Sequence, residues 1–485
     1  MLLDYQTSYR TMRDYLTDLE RAGMLRRIEK GVDPAWEPAS LAKWMYQALP
    51  EEQRFGLFFE RVEDSAIPLV LGALGASTRS YALALGVDPD GINARILAAL
   101  RNPCAPRALA AGSVQEIVKT RDNARLSDLP IPTWTPGKDA APYLTTIVVT
   151  KNADSGVQNM GVYRTQVIDD RHVTVNLVPG RQGDRARASY TAAGKPAPIA
   201  WVIAAEPVVH IAAVANLPYG RDEIHFAGGL AGRPIDLVRA KTVDLMVPAN
   251  ASIVVEGEIY PGEFTTEGPF GEFAGYMGHA AARPVAHITA ITMCEDPIYY
   301  GLSSQMPPSE SMVLQRLTHA GIVLHQLHDA FGETSVSDVF VEVMFGPGLG
   351  QAIVAMKPQY AGHGMRIGRI LADLGQFKLV TVVDDDIDIR DPEHVGWALN
   401  ARYDPARDTL LIDNIHSNMD TSVRPLHAGS GPASKLVLDA TQKIDAGPFS
   451  LPPRDTMMRA LDVWRELGLP EFTIPKRAQL RIDRS

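Results

Sequence analysis

Residues 11–28, TMRDYLTDLERAGMLRRI, place Met12, Tyr15, Leu16 and Leu19 at helical spacing with charges between them, which predicts an amphipathic helix docked on a core. Periodicity fades over residues 114–143, where Pro130, Pro132, Pro136 and Pro142 gather, and the pattern predicts a crossing segment between domains. From Leu144 the chain turns to short apolar and β-branched runs, LTTIVVTKN, APIAWVIAA, ASIVVEGEI and VAHITAITM, separated by glycine and proline turns. A barrel or a sandwich is the natural way to bury them. Helix signals return after Gln305: SESMVLQRLTHAGIVLHQLHDAFG is a long amphipathic segment ending at Gly332, with Ser309 or Ser311 as its N-cap. Strand-like DVFVEVMF and KLVTVVDDD then alternate with helical GMRIGRILADLG and EHVGWALNAR, the texture of a second, α/β-type domain. A last helix pattern, TMMRALDVWRELG, precedes the basic tail PKRAQLRIDRS, and the pair reads as a surface helix or as a contact with a neighbouring subunit.

At 485 residues the chain exceeds the size of one growing core, so two or three domains are expected. Hydrophobic residues at 46% and charged residues at 21% supply ordinary globular material. Forty-seven basic against fifty-seven acidic residues give a net charge of -10, which argues against broad binding to nucleic acid or anionic membrane. Cys104 and Cys294 are the only cysteines, too few for a disulfide framework or a thiolate metal site, and they fit a cytoplasmic protein. The N-terminus has no signal-peptide core, and no apolar run reaches membrane-spanning length.

Four constellations could carry chemistry. In QNMGVYRTQ, residues 158–166, Asn159 offers an amide oxygen for a hard cation and Arg164 a rigid fork for carboxylate or phosphate. In LPYGRDEIHFAGGLAG, residues 217–232, Glu223 follows a proline turn and reads either as a metal ligand or as a carboxylate favoured at a helix N-terminus. TTEGPFGEFAGYMG, residues 265–278, sets Glu267 and Glu272 around a tight bend edged by Phe270, Phe273 and Tyr276. If Gly268 and Gly271 turn both glutamates into one pocket with Arg164 beside one of them, the pair splits into a charged organiser and a neutral proton donor. VVDDDIDIRD, residues 382–391, could hold magnesium at a strand end, but a structural role capping the next helix weighs more. His319, His325 and His328 read as satisfied histidines on an apolar segment. The chain has no HExxH, no phosphate loop ending in Lys-Ser or Lys-Thr and no GxSxG, which weakens zinc-hydrolase, nucleotide-hydrolase and serine-hydrolase readings.

Taken in order, NMGVYR, LPYGRDE, DLMVPANASIVVEGEI, EGPFGEFAGY, VVDDDIDI and WALNARYDPARD resemble the UbiD-like decarboxylase family, over most of the chain from RDYLTDLERAGMLRRI onward. The resemblance implies an α+β multidomain fold. It would comprise an N-terminal helical or α+β cap over 1–122, a central split β-barrel of flavin-reductase type over 123–304, a C-terminal α/β domain over 305–452, and a terminal helix and tail over 453–485 that joins subunits as a homodimer or homohexamer. The implied activity is reversible, non-oxidative decarboxylation of an aromatic or α,β-unsaturated acid, a small-molecule substrate. The implied cofactor is prenylated FMN (prFMN), supplied by a partner flavin prenyltransferase.

The family's Arg-Glu-Glu set maps onto Arg164, Glu267 and Glu272, with Glu272 as the proton donor. Asn159, Val162, Tyr163, Arg164, Arg181, Gln182, Ala213, Ala215, Asn216 and Glu223 map onto its cofactor site. Asn159 and Glu223 match two ligands of a divalent ion, Mn2+ or Mg2+, and carbonyls of residues 212–216 would take K+. The family's third divalent ligand is commonly a histidine downstream of the arginine; residues 175–190, VNLVPGRQGDRARASY, contain none, and Gln182 could supply an oxygen there while Arg181 meets phosphate. Two other readings are a metal-dependent hydrolase using the Glu267/Glu272 pair and a non-catalytic flavin-binding or assembly subunit. Loops 301–311 and 425–435 are the candidate pocket walls.

Overall fold

Thr11 caps the first helix by accepting the Asp14 N–H on its hydroxyl, and the helix then runs Met12–Arg21 with Met12, Tyr15, Leu16 and Leu19 buried. It is shorter than the 11–28 expectation. Gly23 follows in the left-handed region at φ 74°, which ends the helix, and Leu25–Ile28 instead pairs as a strand with Gly56–Phe59. These features belong to a computed structural model that describes residues 8–217, 221–343, 350–375, 377–417, 420–423 and 431–484. The chain forms two compact units, Met1–Ile322 and Val323–Ser485.

In the first unit, Leu25–Ile28, Gly56–Phe59, Leu69–Leu71 and Tyr299–Gly301 lie side by side in one small sheet. Beyond it, six strands among the described residues close a barrel, every neighbouring pair antiparallel. Their order is Ile253–Glu267, Ala197–Ile203, Tyr143–Lys151, Gln158–Val167, His172–Val175 and Ala281–Met293, and the first and last strands pair to complete the ring. The run of β-branched and apolar residues in Tyr143–Lys151 and Ala197–Ile203 is buried on both faces, because the Gln182–Thr191 helix packs against the same strands.

The long Ile253–Glu267 strand changes character along its length. It is largely buried to Ile259, exposed from Tyr260 to Thr266, and buried again at Glu267. The exposed part is a ribbon beyond the barrel wall, and it brings one carboxylate back inside.

In the second unit a mixed sheet among the described residues runs Val336–Val343, Gly350–Met356, Phe377–Asp384, Gly431–Ala440 and Thr409–Ser417, with parallel inner pairs and antiparallel edge pairs. The expected alternation of strand and helix is present: His363–Asp373 and Pro392–Ala401 follow Gly350–Met356 and Phe377–Asp384. The acidic run serves this unit structurally. Asp384 and Asp386 both accept from Arg402, and Asp391 caps the next helix by accepting from the N–H groups of Glu393 and His394. The Arg454–Glu466 helix buries none of its residues.

Candidate active site

Arg164 sits in the Gln158–Val167 strand, whose register against Tyr143–Lys151 is unbroken from end to end. Its side chains therefore alternate strictly, Asn159, Gly161, Tyr163 and Thr165 on one face and Val162, Arg164 and Gln166 on the other. Glu267 ends the ribbon strand, fully buried. The guanidinium grips it with both arms: Nε donates to Oε1 at 2.9 Å and Nη2 to Oε2 at 3.0 Å. The remaining arm, Nη1, donates to Glu272 Oε1. Arg283 Nε lies 3.9 Å from Glu267 on its other side.

Burial opposes the charge on Arg164, but Glu272 and then Glu267 outweigh it and hold the guanidinium above its ordinary pKa. The sequence placed Arg164 beside one carboxylate; the structure spans it across both. The two remain unequal, since Glu267 takes two bonds in full burial whereas Glu272 takes one and lines a cavity.

The bend between them is pinned at each end. Gln166 Oε1 accepts from the Gly268 N–H at 2.8 Å and from the Tyr143 hydroxyl at 2.9 Å, while Asp139 Oδ1 accepts from the Gly271 N–H at 3.0 Å. Gly271 admits no side chain, because a Cβ there would stand 2.5 Å from Thr135 Oγ1 and 2.7 Å from Gln305 Cγ. Phe270 packs its ring on Tyr143 at 4.3 Å and under the Arg164 guanidinium at 5.4 Å. Beyond Glu272, a turn closed by the Glu272 N–H on Tyr276 O brings Gly278 alongside, where a Cβ would come 2.6 Å from Glu272 Oε1.

The cavity beside Glu272 measures about 670 Å³ and is walled by Trp44, Trp134, Tyr276 and Met306. Loop 301–311, expected as a pocket wall, contributes Gln305 and Met306; loop 425–435 lies mostly outside the described residues. Sequence reasoning missed Lys43, which also lines this cavity from the Glu37–Ala48 helix. Burial holds its ammonium down to about 7, with Asp139 pulling the other way. A signal was present: Lys43 falls four residues after buried Ala39 and three before buried Tyr46, inside an apolar helical stripe.

On the opposite face of the Gln158–Val167 strand, Asn159 donates its amide N–H to the Tyr163 hydroxyl at 3.3 Å. Gly161 between them lets the tyrosine ring lie back along the strand, since a Cβ there would meet the ring at 2.9 Å. Glu223, in the first turn of the Glu223–Ala231 helix, is buried, and its Oε2 accepts the Met160 N–H at 3.2 Å. It does stand at a helix N-terminus, with Asp222 as the cap, and burial pushes its carboxyl up to about 7.

Arg181 and Gln182 open the Gln182–Thr191 helix, and Gly183 approaches the Tyr163 hydroxyl closely. Ala213 and Ala215 are buried at the end of the short Pro207–Ala213 helix, and Asn216 beyond them is exposed. Among the described residues no cluster of three His, Cys, Asp or Glu side chains is set to hold a metal. Of the oxygen donors expected there, Glu223 is held next to Asn159 through the Met160 N–H, and Gln182 begins the Gln182–Thr191 helix; one carboxylate and two amides are the donor type a hard cation takes. A buried carboxylate pushed up by desolvation fits such a cation.

Three family models match in order along the chain: the 3-octaprenyl-4-hydroxybenzoate carboxy-lyase N-terminal domain over 16–100, its Rift-related domain over 107–307 and its C-terminal domain over 316–440. The fold and matched domains are those of a carboxy-lyase. The chain belongs to the UbiD family. An evolved dimeric form of the UbiD-class enzyme HmfF from Pelotomaculum thermopropionicum, in complex with prFMN, is similar at 32% identity and TM-score 0.79, over 92% of this chain and 98% of its own. The closed form of vanillic acid decarboxylase from Sedimentibacter hydroxybenzoicus shares 28% identity at TM-score 0.82, over 95% of this chain and 99% of its own. An apo 3,4-dihydroxybenzoic acid decarboxylase from Enterobacter cloacae, at 24% identity and TM-score 0.79 over 94% and 100%, shares the fold.

Lys43 gives a pH signature. The folded chain releases this proton near pH 7, whereas an unfolded lysine keeps its own to about pH 10. The unfolded state binds more protons across that window, so stability rises with pH through it. Lys43→Met is expected to flatten the rise in urea midpoint between pH 7 and about pH 9.5; equal slopes in both proteins would mean that the ammonium is solvated.

Proposed function

We infer that this protein catalyses the reversible, non-oxidative decarboxylation of an aromatic or α,β-unsaturated carboxylic acid with prenylated FMN. The observation that carries the reading is the three-way ion pair: one guanidinium holds a sealed glutamate and a second glutamate at the wall of a cavity. Family membership and likeness to HmfF and to vanillic acid decarboxylase support the chemistry.

Loss of carbon dioxide from an sp2 carbon leaves a carbanion that no side chain delocalises, and prFMN when bound supplies the electron sink. The chain's own residues then have separable tasks. Glu267, spent in two bonds to Arg164, fixes the direction of the guanidinium. Arg164 holds Glu272 in place with its third arm. Glu272 donates a proton to the substrate carbon as the carbon–carboxyl bond is lost and carbon dioxide departs, and it takes that proton back in the carboxylation direction. Solvent restores the proton to Glu272 before the next decarboxylation.

Asn159, Glu223 and Gln182 would hold Mn2+ or Mg2+ against the flavin phosphate, with Arg181 and the first N–H groups of the Gln182–Thr191 helix meeting the same phosphate. Val162, Tyr163 and Arg164 would line the cofactor, and Ala213, Ala215 and Asn216 would offer oxygens to K+. A flavin prenyltransferase would supply the cofactor, in the cytoplasm, to a homodimer or homohexamer. The hydrolase alternative is disfavoured because one arginine ties up both carboxylates, which leaves no separate base to activate water.

Co-expression with a flavin prenyltransferase is expected to yield protein with a modified flavin in its absorbance and mass spectra, and carbon dioxide from cinnamate-like, sorbate-like or polycyclic aromatic acids. Activity in protein free of any flavin would overturn the reading. Glu272→Gln is expected to retain the flavin while turnover and deuterium exchange at the reacting carbon fall at least about 100-fold; unimpaired exchange would remove Glu272 as the donor. Glu223→Gln should lower bound divalent metal and flavin per chain by elemental and absorbance analysis. Full loading in that variant would discard Glu223 as a ligand.

A further inference from the structure

Two buried donors in the cavity beside Glu272 have no task in the proton transfer. Lys43 Nζ is buried and makes no hydrogen bond among the described residues. Asp139, the acid that acts on it electrostatically, has its oxygens engaged by the N–H groups of Gly271 and Thr135. Gln305 is 3% exposed; its Oε1 accepts the Ser304 N–H at 3.3 Å while its Nε2 has no acceptor among the described residues. The two donors reach the cavity from segments far apart in the chain, and Gln47 ties those segments together by donating its amide to the carbonyls of Met306 at 3.2 Å and Pro307 at 3.0 Å.

A buried donor without an acceptor is costly, and two of them on residues that line one cavity call for oxygen acceptors. Water could meet an amide or a neutral amine, but the charged form of Lys43 is favoured there only by an anion or a strongly polarised oxygen. We propose that Lys43 and Gln305 form an acceptor-binding subsite for a second oxygen of the substrate, a carboxylate or phenolate other than the carboxylate that leaves. The preferred substrate is then an acid carrying such a second group on its ring or chain. The proposal rests on the decarboxylase reading, in that the cavity is taken as the substrate's.

The charged or titratable groups around the ammonium are Asp139, Glu272, Tyr276 and the exposed Lys138. Because burial holds Lys43 down to about 7, it is mostly neutral at pH 8 in the empty cavity. An anion seated against it favours the charged form, so binding draws a proton from solution.

The test is calorimetric titration of the flavin-loaded protein at pH 8, in two buffers of different ionisation enthalpy, with benzoate, 4-hydroxybenzoate, isophthalate and terephthalate. At least one of the three acids bearing a second oxygen should bind about tenfold or more tightly than benzoate, with proton uptake. Lys43→Met and Gln305→Leu should each remove that preference, Lys43→Met should also remove the uptake, and both should leave benzoate within about twofold. The separate hydroxy and dicarboxylic acids distinguish a phenolate from a carboxylate as the second group. Absence of any preference in the parent protein would overturn the subsite, and an equal loss for benzoate in the variants would mean that these donors meet the leaving carboxylate instead. If Lys43→Met does not fold, Gln305→Leu answers the same question. Failure of the decarboxylase reading would show separately, as flavin-free protein or as no carbon dioxide from any acid, whatever the binding preferences.

Discussion

The site depends on a single guanidinium with more acceptors than an isolated ion pair would offer. Burying an arginine against a carboxylate is expensive unless the geometry is good and the remaining donors are satisfied. Here the fork meets Glu267 with two parallel bonds and its third arm meets Glu272, so the charge is compensated within the cluster. The barrel makes this possible. Its closing strand runs out into solvent as a ribbon and returns with Glu267 buried, and the turn that follows is pinned by Gln166 and Asp139 before Glu272 appears. The second carboxylate is therefore placed by backbone hydrogen bonds rather than by its own side chain's freedom.

The same strand that carries Arg164 carries the candidate cation site on its other face. Asn159 and Arg164 lie five positions apart, an odd offset, and the unbroken register leaves no bulge to bring them to one side. Gly161 has a specific part in this arrangement. Without a side chain it lets Tyr163 fold back toward Asn159, and the tyrosine in turn fills the space next to the start of the Gln182–Thr191 helix. The residues proposed for phosphate binding and for proton transfer thus lie on opposite faces of one strand.

Much of the fold was legible because its signals are local. The β-branched runs from Leu144 to Met293 became barrel strands, and the alternation after Gly332 became a mixed sheet with helices. The first helix was overextended because leucine, arginine and isoleucine at 25–28 suit a helix as well as a sheet edge, and only the partner strand at Gly56–Phe59 decides between them. The barrel rather than a sandwich could not be read locally either, since closure depends on pairing between Ile253–Glu267 and Ala281–Met293 and on the strands between. In the site, the motif residues stood out by type and order. That one arginine would span both glutamates was hidden, because it depends on how the ribbon returns. Lys43 was hidden for a different reason: a lysine on a helix reads as solvated, and only the walls brought by distant segments bury its ammonium.

Gly278 has a role that its chemistry alone would not announce. It lies so near the Glu272 carboxyl that its lack of a side chain is what leaves that acid room to reach Arg164. The reach of the acid is thus metered by an atom that is missing from a neighbour rather than by anything the acid itself carries. For anyone reshaping this pocket toward bulkier molecules, that empty spot is the first place to leave untouched, because filling it would trade catalytic alignment for a little extra packing.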